Sequence, residues 1–291
     1  MRAFISNSLL VVALVIFATA ANAESRVDCS QLPSKILGRP VPYCVMLPPS
    51  YDAQKTRQYP VLYYLHGLGD NEQSLINGGG WSIYEDQLAQ KKIGEFLIVT
   101  PYEFRSFAIN SHDAHMNYEN FFLREFIPAI EKKYRIKAGR GAHGIMGISM
   151  GGYGALHYAF KYPQMFISAS THMAALRDTL PKNVEGVPEG KLLSDIFGNP
   201  IDQAYYQANN PLAIARQAPL PALKSMKIYF DCGSDDSYRF DIGNEELHKT
   251  LQSRRVAHEF HIYPGGHDMV YVLQHFAASL QWHSQAFGLT K

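Results

Sequence analysis

The sequence predicts an α/β fold, a mostly parallel central sheet with helices on both faces. Three features point to it. Short apolar runs such as Val61–Leu65 and Glu95–Thr100 have the composition of strands covered on both sides. Amphipathic stretches at helical spacing alternate with them. One strand-to-helix junction reads Gly147-Ile148-Ser149-Met150-Gly151, followed by Gly152, and fits the G-x-S-x-G turn that presents a serine nucleophile.

Residues 1–23 have the form of a secretory signal: Arg2, an apolar core from Leu9 to Phe17, and Ala21-Asn22-Ala23 as an A-x-A cleavage site. That core is too short for a membrane span, and no later stretch approaches ~20 apolar residues. Cleavage leaves residues 24–291, about 268 residues and enough for one large α/β domain. The 27 basic residues, less Arg2, balance the 26 acidic ones. A neutral mature chain has no electrostatic signature of a nucleic-acid or anionic-membrane partner. Cys29 and Cys44 are candidates to close a short N-terminal loop in an oxidising compartment, and Cys232 reads as packed and unpaired.

After a polar lead-in, Tyr43–Leu47 reads as an early strand ended by Pro48-Pro49. Val61–Leu65 runs into the Gly-rich turn His66-Gly67-Leu68-Gly69-Asp70. Trp81–Lys91 is expected to be helical, and Glu95–Thr100 a buried strand stopped by Pro101. Asn117–Tyr134 reads as one amphipathic helix, with Leu123, Phe126, Ile127, Ile130 and Tyr134 on a stripe and Pro128 as a kink or break. Ala142–Met146 is the strand entering the elbow and Tyr153–Lys161 the helix leaving it; Phe166–Ser170 is the next strand. From His172 to Lys224 Pro, Asn and Gly are frequent and helical pieces short, the pattern of an insertion over the active-site face. Lys227–Cys232 returns to strand, Phe240–Arg255 to helix, His258–Tyr263 to strand, and Asp268–Phe287 closes the chain as a helix.

A serine hydroxyl needs a base to take its proton and an acid to orient that base. In this fold type the chain order is Ser, Asp or Glu, then His, each on a loop after a strand. Of 12 histidines, His267 follows two glycines just past the last expected strand, where the base is required. His248, His275 and His283 fall within expected helices, and His258 and His261 within the strand, so they read as core or surface. After the next-to-last strand, Asp231 lies inside the strand, while Asp235 and Asp236 share the loop and are tied by position. Backbone N–H groups of Met150 and Leu68 are the expected oxyanion donors.

Together these motifs resemble the esterase family of α/β-hydrolases that includes esterase D, S-formylglutathione hydrolases, secreted feruloyl and acetyl-xylan esterases, and the mycolyltransferases. The likeness runs from about Val41 to Phe287. It rests on Tyr64-Leu65-His66-Gly67, Arg105–Ser111, Tyr118-Glu119 before Phe126-Ile127-Pro128, Gly147–Gly152, Gly233-Ser234-Asp235-Asp236 and Gly265-Gly266-His267-Asp268. The resemblance implies an acid three residues after Gly233, which selects Asp236, and a second oxyanion donor at Leu68. It further implies a serine carboxylesterase acting on short-acyl or feruloyl-type esters, free or polysaccharide-linked, through an acyl-enzyme, and the signal segment places it as secreted or periplasmic. Acyl transfer to a sugar or alcohol, and S-acyl thioester hydrolysis, are the alternatives on the same fold; a non-catalytic binding protein is the rival of another class. No metal or cofactor is implied, because the histidines and cysteines show no ligand spacing. Gly78–Trp81 and Phe104–Ser111 are candidates to line the acyl pocket.

Overall fold

The structure, a computed structural model, describes residues 24–187 and 189–290; the expected signal segment lies outside the described residues. One sheet contains β1 (Arg26–Ser34), β2 (Arg39–Leu47), β3 (Val61–Leu65), β4 (Leu97–Pro101), β5 (His143–Ile148), β6 (Ser168–His172), β7 (Lys227–Gly233) and β8 (Glu259–Tyr263), in the order β1-β2-β4-β3-β5-β6-β7-β8. The ladders from β4 to β8 are parallel, and β1 and β2 form an antiparallel edge.

Side chains on successive strand residues point to opposite faces, which divides the core in two. Val61, Tyr63 and Leu65 of β3 pack with Ile145 of β5 against helices α1 (Ser50–Ala53), α3 (Tyr118–Phe121), α4 (Ile127–Lys133), α5 (Met150–Lys161) and α10 (Phe240–Ser253). Leu62 and Tyr64 pack with Met146 and Ile148 against α2 (Trp81–Ala89) and α11 (Met269–Ala286), which contribute Tyr84, Val272, Phe276 and Leu280. Fully burying each such side chain stabilises the fold by roughly 1.5–3 kcal/mol.

Four local expectations are corrected. The polar lead-in contains β1, whose alternating exposed and half-buried residues hide it from an apolar-run search. It pairs in register with β2 and places Cys29 opposite Cys44, joined by a disulfide. The single helix over Asn117–Tyr134 is α3, a π-helical turn at Phe122–Phe126, and α4. Pro128 cannot donate a hydrogen bond, and the widened turn before it accommodates the loss. β6 lies two residues later than expected because its polar residues are satisfied internally. Ser168 and Ser170 bond the two ring nitrogens of His283 at 2.7 and 2.8 Å, and His172 bonds Asp231. Finally, the elbow helix begins at Met150 rather than Tyr153, directly after Ser149. Between β6 and β7 run four short helices, α6 (Gly190–Phe197), α7 (Gln203–Asn209), α8 (Pro211–Gln217) and α9 (Leu220–Lys224).

Candidate active site

Ser149 sits at the carboxyl end of β5 with φ 53° and ψ −114°, a conformation that costs a non-glycine residue free energy and must be held by its surroundings. Its N–H donates to the His172 carbonyl at 3.0 Å, and its carbonyl accepts from Tyr153 at 3.0 Å and Ala175 at 2.9 Å. The turn also lies against β3: a Cβ on Gly151 would stand 2.2 Å from the Leu65 carbonyl oxygen, so only glycine fits there. These contacts aim the hydroxyl toward the loop after β8.

That loop brings His267 within reach. Its Nε2 lies 2.9 Å from Ser149 Oγ, and its Nδ1–H donates to Asp236 Oδ2 at 2.7 Å. The loops after β7 and β8 are laced together: Ser234 N–H donates to Tyr263 O at 2.8 Å and Asp235 N–H to Gly265 O at 2.9 Å. A Cβ on Gly233 would lie 2.3 Å from that same Gly265 carbonyl, so the close approach requires glycine. The lacing resolves the tie that position left open. Asp235 is exposed and accepts from Ser234 Oγ, whereas Asp236 is buried and faces the imidazole.

Asp236 is well anchored. Its Oδ1 accepts the Tyr238 N–H at 2.8 Å, and its Oδ2 also receives the Cys232 thiol at 3.4 Å. Burial pushes its carboxyl up, but the hydrogen bond and charge of His267, with the Tyr238 N–H, outweigh burial and hold it below the usual carboxylate range. Cys232 is buried and unpaired; burial and the neighbouring Asp236 push its thiol well up. Asp231 points away into a buried network, bonded to His172 Nδ1 at 2.9 Å and to the Tyr229 and Tyr271 hydroxyls at 2.8 and 3.0 Å.

Directly after the serine, Met150 is the first residue of α5, so its N–H is not consumed within the helix. Leu68 lies on the turn after β3, and among the described residues no acceptor engages its N–H. His66 fixes this turn. Its Nε2 accepts the Glu103 N–H at 2.9 Å, which leaves Nδ1–H to donate to Gly67 O at 2.8 Å, and its ring stacks on Tyr102. Burial lowers the His66 pKa and keeps this anchor neutral.

A cavity of about 510 Å³ opens on Ser149, Leu68, Met150 and His267. Phe107, Tyr153, Phe197 and Tyr206 give it aromatic walls, and Leu180, Leu192 and Leu193 come from the 172–224 segment. Of the two stretches expected to line it, Phe104–Ser111 contributes Phe107, whereas Gly78 and Gly79 lie against Met269 and Leu273. Tyr238 and Phe240 stand edge-on to His267, with ring centroids 4.8 and 5.4 Å away. His66 is marked in the sequence by its place ahead of the glycine turn, whereas no sequence signal ties Cys232, Tyr238 or Phe240 to this site.

A family model described as "Putative esterase" matches residues 34–283. The chain belongs to that family. Esterase Rv1288 of Mycobacterium tuberculosis (strain ATCC 25618 / H37Rv) is 32% identical over 245 residues, covering 77% of this chain and 51% of that one. This family member thus spans about half the length of the mycobacterial relatives it matches. It is 23% identical over 279 residues to S-formylglutathione hydrolase of Paracoccus denitrificans (strain Pd 1222), with 88% of this chain and 91% of that protein covered. A solved ferulic acid esterase superposes with a TM-score of 0.79 at 28% identity, covering 92% of this chain and all of that one. The α/β-hydrolase architecture expected from the motifs is therefore shown, as is the family. Among the described residues no helix is long and apolar enough to cross a membrane.

Proposed function

We propose that this protein is a serine carboxylesterase working through an acyl-enzyme, with Ser149 as nucleophile, His267 as base and acid, and Asp236 as orienting acid. The supporting observation is the unbroken chain from Ser149 Oγ to His267 Nε2 at 2.9 Å and from His267 Nδ1 to Asp236 at 2.7 Å, facing a cavity. Ser149 Oγ bonds to the ester carbonyl carbon as its proton passes to His267 Nε2. Leu68 and Met150 N–H groups receive the oxyanion. When the tetrahedral species collapses, the carbon–oxygen bond to the alcohol breaks and His267 gives that oxygen the proton. Water then repeats the sequence on the acyl-enzyme and releases the acid.

The substrates proposed are short-acyl or feruloyl-type esters, free or polysaccharide-linked. Aromatic walls at Phe107, Tyr153 and Phe197 favour a planar acyl group, and a ferulic acid esterase is among the similar solved structures. Residues 24–291 are proposed to be a single domain in which 172–224 is an insertion over the site. Export is proposed from Arg2, the Leu9–Phe17 core and Ala21-Asn22-Ala23, and the Cys29–Cys44 disulfide supports an oxidising compartment.

The test is kcat/KM of residues 24–291 on p-nitrophenyl butyrate and methyl ferulate, with Ser149→Ala as the blank. Turnover lost by roughly 10³-fold or more in the variant supports the mechanism. Activity that survives the substitution removes it. A preference for butyrate over ferulate retains the mechanism and discards the aromatic acyl assignment.

A further inference from the structure

Arg177 is the one lysine or arginine among the described residues lining the cavity over Ser149. It lies just beyond β6, and its exposed side chain is held in a defined place. Its guanidinium donates from Nη2 to the Tyr238 carbonyl at 3.0 Å and sits 5.1 Å from the Phe240 ring centroid. Its own carbonyl is fixed from behind by the Tyr206 hydroxyl at 2.6 Å and the Asn210 side-chain amide at 3.0 Å. Both of those residues are buried. Among the described residues no carboxylate pairs with it, although the adjacent Asp178 is bound to Arg216 at 2.7 Å. The guanidinium thus keeps donors free toward a cavity that mixes apolar walls with a few polar and acidic side chains.

The location identifies which part of a substrate it meets. In the proposed mechanism His267 returns its proton to the departing oxygen, so the leaving group lies on the His267 side. Tyr238 and Phe240, the two residues that hold the Arg177 guanidinium, are the two that pack edge-on against His267. Three carboxylates also line the cavity. Asp70 follows the oxyanion turn, Asp268 caps α11 through the Tyr271 N–H, and Glu189 precedes α6. Arg177 is the counter-charge to them on the cavity wall, so the Tyr238 side is where an anionic group finds a matching donor.

Resting on the esterase reading above, we infer that Arg177 selects esters whose leaving group carries a carboxylate. A planar guanidinium with free N–H donors matches a carboxylate in two-point geometry, and an ammonium does not.

The experiment compares phenyl acetate, 3-carboxyphenyl acetate and phenyl hydrogen succinate, the last carrying its carboxylate on the acyl side. The readout is the ratio of kcat/KM for each charged ester to that for phenyl acetate, which cancels losses common to all three. In Arg177→Gln the 3-carboxyphenyl ratio is expected to fall at least about tenfold, with Arg177→Lys recovering only part of it. The succinate ratio is expected to stay within about twofold, a difference of less than ~0.5 kcal/mol. An unchanged 3-carboxyphenyl ratio overturns the inference, as does a succinate ratio that falls by as much. If the unsubstituted protein hydrolyses none of the three in a Ser149-dependent way, the esterase reading itself fails, a result distinct from either outcome.

Discussion

The thiol of Cys232 and the imidazole of His267 converge on one carboxylate oxygen, Asp236 Oδ2, at 3.4 and 2.7 Å. Cys232 comes from the carboxyl end of β7 and His267 from the loop after β8, so both strands fix the Asp236 carboxylate. The remaining oxygen is held by the Tyr238 N–H, so both carboxylate oxygens of Asp236 are engaged while it faces His267.

Asp236→Asn is expected to lower kcat by roughly 10³–10⁴-fold, because an amide in that place no longer holds the tautomer that takes the serine proton. Asp235→Asn, one residue away and exposed, is expected to stay within about threefold. Steady-state kinetics on a single p-nitrophenyl ester distinguish the two, and equal losses would refute the assignment of the acid.

Glu103 is fully buried, and neither carboxyl oxygen has a hydrogen-bond partner among the described residues. Burial raises its pKa well above the usual range, so the native state holds a proton that the unfolded chain releases above about pH 4.3. Stability therefore falls as pH rises past that value. Glu103→Gln is expected to be more stable than the parent protein at pH 7 and to lose that advantage at pH 4 and below. Urea denaturation at the two pH values measures both.

Glu119 behaves in the opposite sense. Burial raises its pKa, but His157 at 3.0 Å, Lys161 at 2.9 Å and the Tyr162 hydroxyl bring it to about 2. Its contribution is complete above the unfolded value near pH 4.3 and is lost as pH falls toward 2. Glu119→Gln is expected to cost about 2–3 kcal/mol at pH 7 and little near pH 2, again by urea denaturation.

The Cys29–Cys44 bond closes a loop with a sequence separation of 15 and ties β1 to the sheet. Replacing both with serine is expected to cost about 3 kcal/mol on the chain-entropy estimate. Esterase turnover is expected to persist, because the bond lies at the sheet edge opposite β7 and β8. Thermal unfolding of the oxidised protein and the double variant, with activity assayed on each, tests both expectations.

What the sequence determined by itself were features governed by local sterics and periodicity. The runs at Val61–Leu65 and Lys227–Cys232 needed only their own composition to read as strands. The elbow at Ser149 was readable because a Cβ at Gly151 has no room, a constraint expressed as a glycine in the sequence. His267 was readable because it follows the last strand. The antiparallel β1 escaped because half of its surface faces solvent, and β6 was displaced because Ser168, Ser170 and His172 are satisfied by partners far along the chain. Asp235 and Asp236 carry the same chemistry one residue apart, and no local pattern or propensity distinguishes them without the family likeness. The structure separates them through a tertiary contact, the Asp235 N–H bound to the Gly265 carbonyl, which turns one carboxylate to solvent and the next toward His267. The cavity was likewise decided only in three dimensions, because its walls are drawn from β-strand ends and from the 172–224 segment, and sequence spacing carries no record of where such distant loops meet.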